Sequence, residues 1–211
     1  NIQAVSAAAT VNAGAGDDVI NVGSNAQSAA AEFNWLNSGT VNSINSLLTI
    51  NGDADTDIVN VDDTGDTSAN IGALTATAIT GLDMGGSIVY ATVETLNIAL
   101  GSANDDFTID STHANATNLS TNGGKDIVNI RTIAGDTIVN SGGADTINVG
   151  TNAQGSIGDE NNKAAAPLTI LARYLRVTVA MMLLTMTFSI QTLLATPLPT
   201  SVRSLLPTLP V

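Results

Sequence analysis

The chain has 211 residues, with 19 acidic residues against six Lys or Arg, and its net charge at pH 7 is −13. This length fits one substantial domain with a buried core, and the charge argues against nucleic acid as a partner and favours cations. The absence of cysteine excludes disulfides, zinc thiolate sites and thiol nucleophiles.

A break in composition divides the chain into two regions. Residues 1–162 contain all 19 acidic residues and all 19 glycines, and their two basic residues leave a net charge of −17. Residues 163–211 contain no Gly, Asn, Asp or Glu, all five prolines and a net charge of +4. We therefore expect an acidic, Gly/Asp/Asn-rich β-repeat region over 1–162 and an apolar, Pro/Leu/Thr-rich tail over 163–211.

A degenerate repeat runs through the acidic region. Five segments share an Asp, any residue, an apolar residue, Asn or Thr, and a second apolar residue. They are DVINV at Asp18, DIVNV at Asp57, DDFTI at Asp105, DIVNI at Asp126 and DTINV at Asp145. The last two intervals predict turns of about 20 residues, and the interval from Asp18 to Asp57 predicts two such turns. The longest interval, from Asp57 to Asp105, predicts two turns plus an insertion.

A larger repeat lies over these segments, because NVGSNAQS from Asn21 matches NVGTNAQG from Asn148. Short alternating runs rich in β-branched residues, bounded by Gly, Asn and Asp, indicate strands. With few aromatic residues, the interior must be filled by aliphatic side chains, which suits stacked turns. We predict an all-β fold, a parallel β-helix or β-roll-like solenoid followed by a non-solenoid apolar tail. The uneven step from Asp57 to Asp105 keeps an antiparallel β-sandwich as the alternative.

The loop AGAGDDVIN resembles the hemolysin-type (RTX) calcium-binding repeat G-G-x-G-x-D-x-U-x, in which U is a large apolar residue. Gly14, Gly16, Asp18 and Ile20 match, and Ala13 departs. The other four loops keep fewer of the glycines. The family's nonapeptides follow one another in tandem, whereas this sequence has only one motif in each predicted turn. The region is also similar in composition to the long repeat units of very large bacterial surface and secreted proteins.

The resemblance implies calcium, which prefers six to eight oxygen ligands at roughly 2.3–2.6 Å. The alternative is structural, since Gly and Asp also form tight turns in which Asp caps backbone N–H groups. The alternating acids of DADTD predict side chains on one face of a strand, repelling each other unless a cation or water lies between them. The candidate metal ligands are Asp17, Asp18, Asp53, Asp55, Asp57, Asp105, Asp126 and Asp145.

Catalytic groups are scarce in the sequence. The single histidine, His113, is expected to be a solvated loop residue, and its neighbours Asp110 and Ser111 do not form a convincing triad. Asp62 and Asp63 form a carboxylate pair of the type that polysaccharide-cleaving enzymes use. We therefore expect no catalytic residues, and a β-helical polysaccharide hydrolase or lyase is the enzymatic alternative.

The tail contains an uncharged run over residues 177–195, preceded by Arg173 and Arg176. Its length permits a transmembrane helix, but its threonines weaken that prediction. A second hypothesis is a shifted reading frame. Because Met has one codon, the shifted frame across VTVAMML is compatible with Asp-Gly-Gly-Asp-Asp, close to the acidic repeat. PLTI at Pro167 also resembles LLTI at Leu47, which places the slip near Ile170.

The sequence as a whole predicts a non-enzymatic structural or adhesive repeat segment, cut from a larger extracellular or cell-surface bacterial protein. Calcium would offset carboxylate repulsion along its corners, and the cell-surface or matrix ligand is left open. A membrane partner follows only if the run over 177–195 is a genuine span, in which case the chain would be a surface protein anchored at its C-terminal end.

Overall fold

Parallel β-strands form nearly all the regular structure. A computed structural model describes residues 1–26, 38–150, 153, 163–164, 168–172 and 176–179, and these contain no helix. The strands are β1 (Ala9–Ala15), β2 (Val19–Val22), β3 (Leu47–Ala54), β4 (Ile58–Asp62), β5 (Ile71–Leu74), β6 (Ala78–Gly81), β7 (Ser87–Ala91), β8 (Thr95–Ala99), β9 (Asp106–Ile109), β10 (Ala116–Ser120), β11 (Ile127–Ile130), β12 (Thr132–Ile133), β13 (Thr137–Ser141), β14 (Thr146–Val149), β15 (Lys163–Ala164), β16 (Leu168–Ala172) and β17 (Arg176–Val179).

The chain alternates between two large sheets. One has nine strands in the order β1-β3-β7-β6-β5-β9-β11-β14-β17, and the other has six in the order β16-β13-β10-β8-β4-β2. Each turn adds one parallel strand to each sheet, which is the arrangement of a β-solenoid. In the described residues, only the β5–β6 and β6–β7 pairs are antiparallel, and these three strands form a meander within the larger sheet. The solenoid prediction is confirmed, and the antiparallel sandwich is wrong.

The length of a turn varies along the coil. Hydrogen-bonded anchors before β9, β11 and β14 are separated by 21 and then 19 positions, as predicted. However, β2 pairs directly with β4, where the separation is 39 positions. The prediction that this interval contains two turns is therefore wrong: it is one turn enlarged by the segment between β2 and β3. The interval from Asp57 to Asp105 joins anchors that lie in different sheets.

A single aliphatic core lies between the two sheets. Leu48 and Ile50 of β3 and Val59 and Val61 of β4 are fully buried, and equivalent residues of later turns continue these rows. Burying each such side chain contributes about 1.5–3 kcal/mol. Because each strand supplies at most three core residues, each turn depends on its neighbours for burial.

The sheets continue into the region after residue 162. β16 pairs with β13, where Leu168 aligns with Thr137, just as Leu48 of β3 aligns with Ala9 of β1. The similar segments PLTI and LLTI therefore hold matching positions. β17 pairs with β14. Residues 180–195 of the proposed membrane span lie outside the described residues, and within the described part no helix is long and apolar enough to cross a membrane.

Asparagine side chains form ladders between turns. In the six-stranded sheet, Asn60 donates from Nδ2 to Oδ1 of Asn21, Asn97 to Asn60 and Asn118 to Asn97, each at 2.7 Å. Asn148 donates to Asn129 in the larger sheet at 2.9 Å. The Asn of the repeat motif thus pairs with its counterpart one turn earlier, which fixes the register of the stack.

We expect Asn60→Ala to lower the free energy of unfolding by about 1–3 kcal/mol, because it removes a hydrogen-bond partner from the buried amides of both Asn21 and Asn97. Asn12→Ala is the matched control, since Asn12 is exposed and makes one ladder bond, with Asn51. Denaturant unfolding of both variants measures the difference. Equal losses would show that the buried ladder has no special role.

Candidate functional site

The candidate site consists of two rows of acidic residues at the corners of the coil. Each acid directly precedes a strand, which stacks the carboxyl groups from turn to turn. The first row, before strands of the six-stranded sheet, contains Asp18, Asp57 and Glu94. The second row, before strands of the nine-stranded sheet, contains Asp105, Asp126 and Asp145. All of these except Glu94 were predicted from the sequence.

Glu94 is the member that the sequence analysis missed. The segment ETLNI has the spacing of the other anchors, with Glu in place of Asp. The N–H of Asp57 donates to Oε2 of Glu94 at 2.8 Å, so the longer side chain fulfils the same function. A search for either carboxylate at the anchor position would have found it.

Within a row, each acid is joined to the next by two hydrogen bonds. The N–H of Asp105 donates to Oδ1 of Asp126 at 2.8 Å, and the N–H of Asp126 donates to Oδ1 of Asp145 at 3.0 Å. In return, the N–H of Ile127 donates to the carbonyl oxygen of Asp105 at 2.8 Å, and that of Thr146 to Asp126 at 2.7 Å. The anchor carboxylate therefore satisfies a backbone donor of the preceding turn.

The first row repeats the same bonding. The N–H of Asp18 donates to Oδ1 of Asp57 at 3.0 Å, and the N–H of Ile58 donates back to the carbonyl oxygen of Asp18 at 2.9 Å. The repeated Asp therefore makes the same contact between turns at both corners. As the structural alternative to metal binding, the anchor Asp thus caps a backbone N–H of the neighbouring turn and not one within its own loop.

The second carboxylate oxygens differ along the rows. Oδ2 of Asp145 accepts hydrogen bonds from the hydroxyls of Thr121 at 2.7 Å and Ser141 at 2.6 Å. Oδ2 of Asp105 and Oδ2 of Asp126 are buried, and no described group donates to either. The anionic form of these two acids is consequently poorly solvated.

Burial raises the pKa of Asp126 to about 7, against the opposing effect of the bond from the Asp105 N–H, and the carboxylates of Asp145 and Asp105 add to the rise. Burial also raises the pKa of Asp105. Asp63 behaves similarly: burial raises its pKa to about 7, against the bond from the Val41 N–H, and Asp66 and other acids add to the rise. Asp63 and Asp126 therefore retain their protons up to about neutral pH.

The exposed acids form a separate corner between the first two turns. Oδ1 of Asp17 accepts from the N–H of Thr56 at 3.0 Å, and Oδ2 of Asp55 accepts from the N–H of Gly16 at 3.1 Å. Asp53 and Asp55 have positive φ angles, 78° and 77°. These angles interrupt the alternation of the strand, so Asp57 is buried while Asp53 and Asp55 are exposed. The expectation that the three acids share one face is therefore wrong for Asp57.

Among the described residues, no three His, Cys, Asp or Glu side chains converge closely enough to hold a metal ion. The loop AGAGDDVIN, which best matches the RTX repeat, does turn through a glycine with a positive φ, since Gly16 has φ 111°. The same φ occurs at Gly124, where a side chain would collide with the carbonyl oxygen of Ala103. Calcium ligation at the eight candidate acids stays a prediction.

The residues considered for catalysis have structural partners. Oδ2 of Asp62 accepts from the N–H of Gly39 and Oδ1 of Asp63 from the N–H of Val41, each at 3.0 Å, and both acids are buried. Asp110 forms an ion pair with Arg131. His113 is half-buried with its ring edge-to-face against Tyr90, 5.6 Å between centroids, so the expectation of a solvated histidine is wrong.

Comparison with family models, with curated protein sequences and with solved structures finds no match to this chain. The geometry of the two acid rows is therefore the basis for assigning a role. Both rows cap backbone N–H groups, and in the second row burial raises the pKa of Asp105 and Asp126. Both properties concern the stability of the coil.

Stability should fall as the pH rises from about 4 to about 7. Asp126 and Asp63 keep their protons up to about pH 7 when folded but lose them near 3.8 when unfolded, so the folded state binds more protons across this range. Their contribution is complete below pH 3.8 and is lost as the pH passes 7. Thermal melts at several pH values measure the loss.

Asp126→Asn should make this loss smaller, because it removes one of the titrating groups while keeping an oxygen that can accept the Asp105 N–H. Asp17→Asn, at the exposed corner, is the control that makes the same change in formal charge. A pH profile for Asp126→Asn as steep as that of the parent chain would contradict the prediction.

Proposed function

We propose that this chain is a non-enzymatic structural segment of a large extracellular or surface-attached bacterial protein, serving as a spacer or adhesive rod. The observation that carries the proposal is the repeated use of anchor carboxylates to cap the preceding turn. Acids that would otherwise be available for chemistry instead bond to the backbone. Asp126 and Asp145 are accordingly buried, with exposed fractions of 1% and 3%.

The stacking geometry supports a role as a spacer, whose length depends on the number of turns. Each turn contributes the same contacts to its neighbours, so a solenoid of this kind can be lengthened by adding turns without redesigning its core. The resemblance of AGAGDDVIN to the RTX repeat supports an extracellular bacterial setting. The adhesive part of the proposal rests on the similarity in composition to large surface proteins.

A structural role predicts a defined order of stability among Asp145 variants. Asp145→Ala removes the acceptor for the Asp126 N–H and for two buried hydroxyls, which should cost about 1–3 kcal/mol or more in free energy of unfolding. Asp145→Asn keeps an acceptor for the N–H and should cost less. Denaturant unfolding gives both values, and Asp136→Ala, at an exposed residue outside the rows, is the control.

If Asp145→Ala were as stable as the parent chain, the carboxylate would not hold the turns together. The proposal of a structural row would then be wrong, even if the overall fold were retained. Circular dichroism of the variant at low temperature separates these two results, because it reports strand content independently of stability.

Calcium is the cation that the RTX resemblance implies, and it has access to the exposed corner. Asp17, Asp53 and Asp55 lie there on two adjacent turns, and their charge repulsion would be reduced by a bound ion. Because the described side chains form no preformed cluster, binding needs backbone carbonyl or water ligands in addition. We therefore place the calcium in our proposal at this corner, away from the buried rows.

We expect millimolar calcium to raise the melting temperature by about 2–4 °C relative to chelator, which corresponds to about 1 kcal/mol of linked binding. The double variant Asp53→Asn/Asp55→Asn should lose this shift. Asp83→Asn, away from the corner, should keep it. An unchanged melting temperature in the parent chain would leave turn formation as the whole role of these acids.

A further inference from the structure

The segment Asn1–Ala26 repeats a later part of the coil in structural detail. Ile2 bridges Val22 in parallel, as Ile130 pairs with Val149, and Asn21 donates to Asn1 as Asn148 donates to Asn129. Gly23 and Gly150 share a φ of 154°. The N–H of Gly23 donates to Ile2 at 3.0 Å, and that of Gly150 to Ile130 at 2.9 Å.

The intervening strands match as well. Ala9 of β1 aligns with Leu48, and Thr137 of β13 aligns with Leu168, so β1 corresponds to β13. Val19 of β2 corresponds to Thr146 of β14, through their alignments with β4 and β17. The corresponding strands lie in opposite sheets, because the repeat contains an odd number of passages between the sheets. Asn1 and Ile2 therefore hold the positions of the last two residues of β11.

This correspondence identifies which strands would fit as neighbours of β1 and β2 at the first edge of the coil. β13 and β14 each have an earlier neighbour, namely β10 and β11, whereas β1 ends its sheet and β2 has only the Ile2 bridge beyond it among the described residues. The unpaired edge of β1 presents backbone donors and acceptors along Ala9–Ala15.

An acid at this edge also lacks the donors that its counterpart has. Asp18 corresponds to Asp145, whose oxygens accept from the Asp126 N–H and from the hydroxyls of Thr121 and Ser141. No described group donates to the carboxylate of Asp18, which is only half-buried. A turn like the one that contains Thr121 and Asp126 would supply both a hydroxyl and a backbone N–H.

We infer that the N-terminal edge formed by β1, Asn1–Ile2 and β2 is an interaction surface for a second copy of the repeat, specifically for the segment Glu94–Val128. In that copy, β10 would lie beside β1. Its last two residues, Ile127 and Val128, would form the first half of a β11-like strand whose second half is Asn1 and Ile2. Asp126 of the copy donates its N–H to Asp18. The inference rests on the proposed structural role and deepens it, since it states how one unit is joined to the next.

The test joins a copy of Glu94–Val128 directly to Asn1 of the full chain. We expect the extended chain to melt about 5 °C or more above the parent, because the added turn buries the open edge. Amides of β1 that point away from β3 should exchange with solvent at least about tenfold more slowly. A matched control carries one Gly between the copied Val128 and Asn1, which shifts the register of the joined strand.

Asp18→Ala tests the contact itself. It should lower the melting temperature more in the extended chain than in the parent, because the carboxylate gains partners only in the former. The inference is overturned if the extended chain melts like the parent, if the Gly control is stabilised equally, or if Asp18→Ala has the same effect in both chains. The proposed structural role is tested separately, because the Asp145 variants are measured in the parent chain.

Discussion

The coil depends on the supply of a hydrogen-bond acceptor for the backbone N–H at each corner. Where a strand begins, this N–H lies outside the regular ladder and is buried between turns. An unpaired buried N–H would cost about 1–3 kcal/mol at every turn. The anchor carboxylate of the following turn removes that cost, as Oδ1 of Asp126 does for Asp105. The motif therefore recurs from turn to turn within each row.

The same solution stacks acids in a poorly solvated interior. Asp105, Asp126 and Asp145 are linked in sequence by hydrogen bonds, and the negative charges of Asp145 and Asp105 disfavour ionisation of Asp126 between them. The hydroxyls of Thr121 and Ser141 stabilise the charge on Asp145, whereas no described hydroxyl does so for Oδ2 of Asp126. The hydrogen bonds of these acids thus align neighbouring turns. The raised pKa values of Asp126 and Asp105 mean that the coil is less stable near neutral pH than at low pH.

Local features of the fold could be predicted from the sequence, because they are encoded in adjacent residues. The alternation after Asp18 and Asp126 correctly indicates strands, and the scarcity of aromatic residues indicates stacked turns. Turn length could not be predicted, since a loop inserted between β2 and β3 leaves the flanking motifs unchanged. The burial of Asp57 was also hidden, because its orientation depends on positive φ angles at Asp53 and Asp55. Glu94 was missed because the search treated the residue type, rather than the carboxylate, as the requirement.

The hydrogen-bond ladders give the coil a direction. Each turn presents anchor carboxylate oxygens and Asn Nδ2 groups to the turn before it, as Asp57 and Asn60 do toward Asp18 and Asn21. Toward the turn after it, the same turn presents anchor N–H groups and Asn Oδ1. The two faces of a turn therefore differ chemically, and each face is complementary to the opposite face of another turn. A further turn therefore satisfies these donors and acceptors only when it stacks in the same chain direction. Two identical faces brought together would place donors against donors and acceptors against acceptors.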